Sequence, residues 1–333
     1  MEKILNTKLI ATVLVVFILN LACTSDDGVN TTPLPETDLI TVANSETDLS
    51  MAVSALERAD LTSTFQGSAK YTLLAPTDTA FSGFLAFNGF GSINDVPVET
   101  LRELLLNHTV TGLIDSANLT ILQKNYLETL AAGPVSGTNL ALYFDASDGV
   151  TFNGLSKIQK ADVLASNGVI HIVDTVIDFP TIETFTSTDE NFEDLDTAFD
   201  LISPVSDLPQ TIKDVNSGPF TLFAPAQQAF EALLASNDDW EFLSDIDEDL
   251  LTAVLEHHVL NENTGLEELA PESTFATLEG DEIVVNSLNG RIEITDGSGN
   301  SGILLAEGIQ GIQAINGIIH ILPEKVMLPD TTN

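Results

Sequence analysis

The sequence predicts an α+β protein built from two copies of one domain. Two short motifs occur twice: Thr72–Pro76 returns as Thr221–Pro225, and Asn167–His171 returns as Asn316–His320, each 149 positions further on. Two unrelated matches with one displacement indicate duplication, and the unit is far longer than the roughly 20 to 50 residues of solenoid and propeller repeats. Within each copy, helical periodicity comes first and strand patterns come last. This segregation favours an α+β domain over a βαβ domain with a parallel sheet.

Length and composition agree with two globular domains. A chain of 333 residues corresponds to about two domains, and 44% hydrophobic with 18% charged residues is a globular balance. The formal net charge of −39 repels phosphate backbones, so a nucleic-acid partner is excluded. The single cysteine, Cys23, excludes an intrachain disulfide.

The amino terminus has the layout of a secretory signal. Lys3 and Lys8 precede the apolar run Leu9–Leu19, and the small residue Ala22 stands before Cys23. At about 1.5 Å per residue this run covers roughly half of a ~30 Å hydrocarbon core, so it is too short to remain as a membrane span. The pattern predicts a signal peptide over residues 1–22.

The segment Leu21–Cys23 resembles the lipobox of bacterial lipoproteins. The resemblance implies that Cys23 carries lipid as the first residue of the mature chain, followed by an N-terminal tether over residues 23–38. Asp26 and Asp27 resemble the acidic surface-export tag of some Gram-negative lipoproteins, although plain linker acidity explains them as well. The implied location is the cell envelope, lipid-anchored in the outer membrane and exposed at the surface.

The first copy opens with alternating helix and strand signals. Residues 48–59 place their apolar side chains on one helical face behind a cap at Asp48. Tyr71–Ala75 is a short apolar run before a proline, which suits a buried strand. Thr77 or Asp78 then caps the next helix.

A strand-rich half follows in each copy. In the first copy we predict one more helix at 99–108, then strands at 140–144, 150–152 and 169–173 separated by Asp-Gly and Asn-Gly turns. In the second copy we predict helices at 192–202, 227–234 and 250–259, and strands at 220–224, 282–286, 291–295 and 302–305. The polar stretch Pro180–Glu190 marks the boundary, and because it is short the two domains are expected to touch.

The repeated motifs resemble those of the fasciclin domain. The family's Thr-x-Phe-Ala-Pro-Thr strand and following Ala-Phe helix are similar to Thr72–Phe81 and Thr221–Phe230. Its Asn-Gly-Val-Ile-His-Val motif with the apolar strand behind it is similar to Asn167–Val176 and Asn316–Met327. The chain therefore resembles two fasciclin domains in tandem, at residues 39–179 and 184–329.

A third family feature is a Tyr-His pair at a helix end, which this chain has as Asn107–His108 and His257–His258, with the tyrosine replaced in both copies. In the family's animal members this neighbourhood is linked to receptor binding. The resemblance implies a compact β-sheet wedge packed with several helices, surface placement, and adhesion or matrix contact instead of catalysis. The residues that match the family motifs are Thr72, Pro76, His108, Asn167, Gly168, His171, Thr221, Pro225, His258, Asn316, Gly317 and His320.

Neither a zinc site nor a catalytic site is predicted. Hydrogen bonds to nearby backbone are the expected role of the motif histidines. Zinc sites need three or four converging ligands, and the sequence supplies neither a Cys pair nor a His-x-x-x-His pattern. The segment Gly297–Gly302 comes nearest to a nucleophile elbow by composition, but it lies between two predicted strands and is interpreted as a hairpin tip.

Two acidic clusters, Asp189–Asp196 and Asp245–Asp249, are candidates for binding calcium. Neither matches the Asp-x-Asp-x-Asp-Gly loop with a distal glutamate, so solvated surface is the favoured interpretation and no cofactor is predicted. The strong negative charge leaves open a loosely bound calcium ion that bridges the surface to acidic polysaccharide.

Four phenylalanines recur every three residues: Phe81, Phe84, Phe87 and Phe90. They are interpreted either as core residues or as an exposed aromatic patch.

The functional prediction is a non-catalytic module for cell-surface adhesion or extracellular-matrix interaction. Its partners would be surface or matrix proteins or polysaccharide, with the membrane reached through the lipid anchor. The alternative is a glycan-binding accessory lipoprotein of a carbohydrate-uptake system, with Phe87, Phe90 and Trp240 as stacking residues.

Overall fold

The computed structural model describes residues 35–304 and 311–330, so the predicted signal peptide, Cys23 and most of the tether lie outside the described residues. The helices of the first domain are α1 (Leu39–Ser45), α2 (Ser50–Arg58), α3 (Thr62–Phe65), α4 (Asp78–Phe87), α5 (Val98–Asn107) and α6 (Ser116–Leu122). Those of the second are α7 (Ile182–Thr186), α8 (Glu193–Ile202), α9 (Leu208–Lys213), α10 (Gln227–Leu234) and α11 (Glu248–His257). Among the described residues, no helix combines the length and the apolar character that a bilayer span requires.

Strands make up the later half of each domain, as the α+β prediction requires. The first domain has β1 (Tyr71–Pro76), β2 (Thr109–Thr111), β3 (Lys124–Ala132), β4 (Asn139–Asp145), β5 (Thr151–Phe152), β6 (Ser156–Ala165) and β7 (Gly168–Val173). The second has β8 (Phe220–Pro225), β9 (Val259–Leu260), β10 (Thr274–Ala276), β11 (Glu282–Leu288), β12 (Arg291–Thr295), β13 (Ser301–Ile303), β14 (Ile312–Ala314) and β15 (Gly317–Leu322). The predicted α+β fold with two domains is confirmed.

One strand pairing unites the two family motifs in each domain. In the first domain, strands β1 to β7 form a closed barrel in chain order, and β7 closes it by pairing in parallel with β1. In the second domain the described strands form two four-stranded sheets, and β15 pairs in parallel with β8. Leu73 lies opposite Ile170, and Leu222 lies opposite Ile319, in the same register after 149 residues. The duplication seen in the sequence is therefore a duplication of sheet geometry.

Helix α2 begins later than predicted, and its cap comes from a distant residue. Asp48 does not cap it: the helix starts at Ser50, whose hydroxyl and the N–H of Met51 both donate to the carboxylate of Asp78, each at 2.7 Å. The predicted cap of α4 is confirmed, because the Thr77 hydroxyl accepts the N–H of Ala80 at 3.1 Å. Asp78 therefore joins the starts of two helices, in addition to its favourable place in the first turn of α4.

Three further differences have physical causes. Strands β3 and β6 were not predicted, because their exposed faces carry many polar residues and the pairing of β6 is interrupted near Asp162, which has a positive φ of 57°. The predicted helix 250–259 ends at His257, and Val259 already belongs to β9. The boundary stretch contains helix α7, whose Ile182 and Phe185 are completely buried.

The two domains touch, as predicted, and they share part of one core. The core of the second domain includes Ala141 and Tyr143 from β4 of the first domain, and Tyr126 from β3 packs against it. The main core of the first domain is separate and gathers α1, α2, α4 and α5 around β1 and β7. Burial of apolar surface between the domains fixes one against the other.

Candidate functional site

His108 of the first domain connects a helix end to a distant backbone segment. It follows α5, and its Nδ1 lies 2.8 Å from the carbonyl oxygen of Leu104, while its Nε2 accepts the N–H of Ile177 at 2.9 Å. An imidazole that accepts at Nε2 must carry its proton on Nδ1, so the hydrogen-bond network assigns one neutral tautomer. The side chain is completely buried, and burial lowers its pKa to about 4.

His258 repeats this arrangement in the second domain. Its Nδ1 lies 2.7 Å from the carbonyl oxygen of Val254 and its Nε2 accepts the N–H of Met327 at 2.9 Å. Burial, with a smaller effect from the neighbouring His257, lowers the pKa of His258 to about 3. Both histidines are therefore buried neutral imidazoles that connect two backbone segments by hydrogen bonds, and they are not exposed functional groups.

The motif asparagines bind three backbone groups each. The Oδ1 of Asn167 accepts the N–H of Leu39, and its Nδ2 donates to the carbonyls of Phe65 and Gly67. Asn316 makes the equivalent set with the N–H of Ile182 and the carbonyls of Ile212 and Asp214. Each asparagine thereby fastens the start of its domain's first helix to the turn before the last strand.

The motif threonines and the strand histidines hold one loop residue from both sides. The Thr72 hydroxyl accepts the N–H of Ile114, and the Nε2 of His171 lies 2.8 Å from the carbonyl oxygen of Ile114. In the second domain the Thr221 hydroxyl and His320 Nε2 hold Thr264 in the same way. The backbone hydrogen bonding expected for the four histidines is present. Pro76 and Pro225 end the strands that carry the threonines.

These motif residues form a buried frame, and a family comparison identifies that frame. A family model for the fasciclin domain matches residues 47–180 and 193–329. The chain belongs to the fasciclin family. Both matched ranges contain all three motifs, so each described domain is a fasciclin domain.

The chain is similar to both animal and cyanobacterial relatives. It is 26% identical over 270 residues to transforming growth factor-beta-induced protein ig-h3 of Sus scrofa, which covers 80% of this chain and 36% of that protein. It is 26% identical to periostin of Homo sapiens, covering 84% of this chain and 30% of periostin. Protein sll1483 of Synechocystis is 31% identical over 139 residues, covering 42% of this chain and 72% of that protein. The chain thus spans about a third of the length of the two animal proteins.

A solved structure of a FAS1 domain pair, from the insect cell adhesion molecule fasciclin I, is also similar to this chain. It covers 83% of this chain and 92% of its own, at 16% sequence identity and a TM-score of 0.46.

The positions of the family's tyrosine are buried in both fasciclin domains. Asn107 donates to the carbonyls of Ile177 and Asp178, each at 3.1 Å. His257 accepts the N–H of Gly297 at Nε2, 3.2 Å away. Since both side chains are completely buried, neither is available to a receptor in this fold.

A cluster that the sequence analysis missed surrounds His257. Ligand-type atoms of His257, Glu279 and Asp281 all lie within 4.8 Å of one another, the one such group found in the described part of the chain. However, Gly297 donates to Nε2, which places the imidazole proton on Nδ1, 3.3 Å from the Glu279 carboxylate. A hydrogen bond between His257 and the Glu279 carboxylate is therefore sufficient to account for this cluster. A metal bound at Nδ1 would require the imidazole proton to move to Nε2, which already faces the N–H of Gly297.

Aspartates of both acidic clusters accept hydrogen bonds from backbone N–H groups that are close to them in sequence. The buried Asp189 accepts the N–H of Asn191, Asp247 accepts the N–H groups of Asp249 and Leu250 at the start of α11, and Asp245 accepts two N–H groups before it. Ser298, in the predicted hairpin tip between β12 and β13, donates to Asp296 at 2.8 Å. These side chains serve turns and helix caps.

Aromatic and charged residues also fix the domain interface. The Tyr126 ring lies 5.1 Å from that of Tyr143 and 5.5 Å from that of Phe185, while its hydroxyl donates to the buried Asp189 at 2.7 Å. Burial, and then the charge of Asp189, raises the pKa of Tyr126 far above its usual range. At the rim, Lys124 forms salt bridges with Asp145 and Glu190 that contribute little beyond orientation, since all three side chains remain in contact with solvent.

We expect Tyr126→Phe to lower the free energy of unfolding by about 1–2 kcal/mol, because the buried carboxylate of Asp189 loses the hydrogen bond that the Tyr126 hydroxyl donates. Urea denaturation followed by fluorescence measures the change. Tyr71→Phe is the matched control, because the Tyr71 hydroxyl makes no hydrogen bond within the described residues. Equal stabilities for the two variants would contradict the role given to the Tyr126 hydroxyl.

The four phenylalanines divide between core and surface. Phe81 is buried, whereas Phe84 and Phe90 are partly buried against the first-domain core, and Trp240 is partly buried against the second. Phe87 is 88% exposed. The core interpretation therefore describes three of the four, and Phe87 alone remains available for a contact.

Proposed function

We propose that this chain is a non-catalytic module for adhesion to other cells or to extracellular matrix. The observation that carries the proposal is the packing of two fasciclin domains on a shared core, which presents two binding faces in a fixed relation. A fixed pair raises the effective concentration of the second contact once the first has formed, so two weak surfaces suffice. Partners would be surface or matrix proteins or polysaccharide.

The buried frame supports a binding role for the exterior. The polar motif side chains are engaged in internal hydrogen bonds and are buried, and His108 and His258 among them are held neutral by burial, which lowers their pKa values. The serine nearest to a nucleophile elbow donates to an aspartate in its own turn. Catalysis thus finds no support among the described side chains, whereas a rigid scaffold with variable exposed surface suits recognition.

Anchoring is the second part of the proposal: lipid on Cys23 holds the chain at the outer membrane, facing outward, with the tether as spacer. We expect Cys23→Ala to abolish membrane fractionation and surface labelling of intact cells by antibody while the protein is still made. Ser25→Ala, two residues further on, is the control and should label as the wild type does. Undiminished labelling of the Cys23 variant would reject the lipid anchor.

An attachment assay tests adhesion itself. A strain that lacks the chain should bind matrix-coated surfaces more weakly, and the full-length chain, but not its Cys23→Ala variant, should restore binding. Single-domain versions are poor probes, because separation would expose Tyr143 and Phe185. Equal attachment with and without the chain would refute the proposed function.

The glycan-binding alternative keeps one of its three stacking residues, Phe87, since Phe90 and Trp240 pack against the cores. Binding on a glycan array that disappears in Phe87→Ala would favour it. The calcium bridge also remains a proposal motivated by the charge of −39. Calorimetry without calcium-binding heat would reject that bridge.

A further inference from the structure

An apolar groove opens on the first fasciclin domain beside the exposed Phe87. It has a volume of about 390 Å³ and lies between α4 and the segment that follows β7. Phe84, Phe87 and Leu155 line it, with Phe87 88% and Leu155 65% exposed. Apolar side chains left in water around a concave surface of this size are typical of binding sites.

The floor of the groove is kept open by Gly83. A Cβ placed at this position would meet no atom within 4 Å, so packing does not require a glycine there. Glycine in the middle of a helix is less favourable than alanine. The local sequence therefore departs from what helix stability favours, at the point where a side chain would occupy the groove.

The rim of the groove is acidic. Asp174 and Asp178 both line it, the first partly buried and the second exposed. Asp174 accepts hydrogen bonds from the N–H of Lys157 and from the side chains of Gln159 and Thr175. Neither its carboxylate nor that of Asp178 takes part in a salt bridge within the described residues, so their negative charges are not neutralised there. An occupant that is both cationic and apolar would complement this rim and the apolar wall, and an arginine could also stack on the face of Phe87.

The second fasciclin domain lacks these features. At the positions 149 residues further on, Gly83 is replaced by Ala232, Phe87 by Ser236 and Asp174 by Pro323. The duplication has preserved the buried frame while the groove residues differ. The apolar wall and the acidic rim are thus properties of the first domain and not of the shared scaffold.

We propose that this groove binds a peptide segment of a partner protein that carries arginine beside apolar residues. The apolar side chains pack on Phe84, Phe87 and Leu155, and the guanidinium groups pair with Asp174 and Asp178. This proposal specifies the chemistry of a partner for the proposed adhesive function. Its biological role rests on that function, but binding of the peptide to the groove does not.

The test uses purified full-length protein and a short fluorescein-labelled peptide of alternating arginine and leucine, followed by fluorescence anisotropy. We expect Phe87→Ser, the residue of the second domain, to weaken binding about tenfold, the factor that corresponds to 1.4 kcal/mol. Gly83→Leu, which fills the groove, should weaken binding by a similar factor while raising the melting temperature. A loss of binding together with a gain of stability cannot come from misfolding.

The matched control is Phe242→Ser, which removes a phenylalanine that is 61% exposed on the second domain and should leave binding unchanged. Peptides of arginine with serine, or of glutamate with leucine, should bind at least about tenfold more weakly than the arginine–leucine peptide. If Phe87→Ser and Gly83→Leu bind the arginine–leucine peptide as tightly as the wild type and Phe242→Ser do, the proposal is overturned. Equal binding of the arginine–serine peptide would also overturn it, since it would mean general attraction to the acidic surface. Because no cells are involved, this failure leaves the attachment assay to judge adhesion separately.

Discussion

Acidification from neutral pH to about pH 4 should remove several kcal/mol of folding free energy, because His108 and His258 are buried as neutral imidazoles. Their pKa values fall from an ordinary 6.5 to about 4 and about 3 in the folded chain. Between these limits the unfolded chain binds protons that the folded chain does not, so stability is complete above about pH 6.5 and declines as pH falls. At roughly 1.4 kcal/mol per pKa unit, His108 alone contributes a loss on the order of 3 kcal/mol.

The double variant His108→Gln with His258→Gln isolates this effect. Glutamine has an amide NH2 group that donates and a carbonyl oxygen that accepts, so it can replace both hydrogen bonds of neutral histidine, but it does not titrate. We expect the variant to be less stable at neutral pH and to lose less stability on acidification. Urea denaturation at several pH values from about 7.5 to about 4 measures both slopes.

Two acidic residues, Asp194 and Asp196, act in the opposite direction and cancel from the comparison. Burial, and then neighbouring carboxylates, raises the pKa of Asp194 and of Asp196, so protonation of these groups favours the folded state as pH falls. They are present in both proteins, and the difference between the two slopes belongs to the histidines. If the free energy of unfolding depended on pH equally in the wild type and the double variant, His108 and His258 would titrate normally, which would contradict their assignment as buried neutral imidazoles.

The fold was predictable wherever local pattern decides structure. Helix α10 begins and ends where apolar periodicity predicts, and β12 covers the predicted strand at 291–295. The displacement of 149 residues also predicts that both motifs recur in one geometry, and the parallel pairing of β15 with β8 repeats that of β7 with β1. These features depend on neighbours in sequence or on duplication, both of which a single sequence contains.

The remaining features depend on residues that are distant in sequence. Asp78 caps a helix 27 positions before it, and Tyr126 donates to Asp189 across 63 positions. Periodicity carries no information on such pairs, so the cap of α2 and the residues that form the domain interface were not predicted. The exposure of Phe87 was undecidable for a related reason, because a spacing of three residues does not hold one helical face.

Among the site residues, the motif glycines show most directly that the family frame is structural. A Cβ at Gly317 would lie 2.3 Å from the carbonyl oxygen of Phe220 and 2.8 Å from the side chain of Ile182. A Cβ at Gly168 would lie 2.5 Å from the carbonyl oxygen of Tyr71. In both domains the approach of the last strand to the first therefore excludes a side chain.

We expect Gly317→Ala to lower the free energy of unfolding by roughly 3 kcal/mol or more, since the methyl group must displace the backbone of β8 in a packed interior. Gly83→Ala is the matched control: its Cβ meets no atom within 4 Å, and we expect a gain of about 0.5–1 kcal/mol from helix propensity. Urea denaturation of both variants beside the wild type gives the two changes. If glycine-to-alanine substitution lowers the free energy of unfolding at position 317 and raises it at position 83, the steric effect of the strand contact is separated from the general effect of replacing glycine. A Gly317 variant as stable as the wild type would show that β15 does not approach β8 as closely as the frame requires.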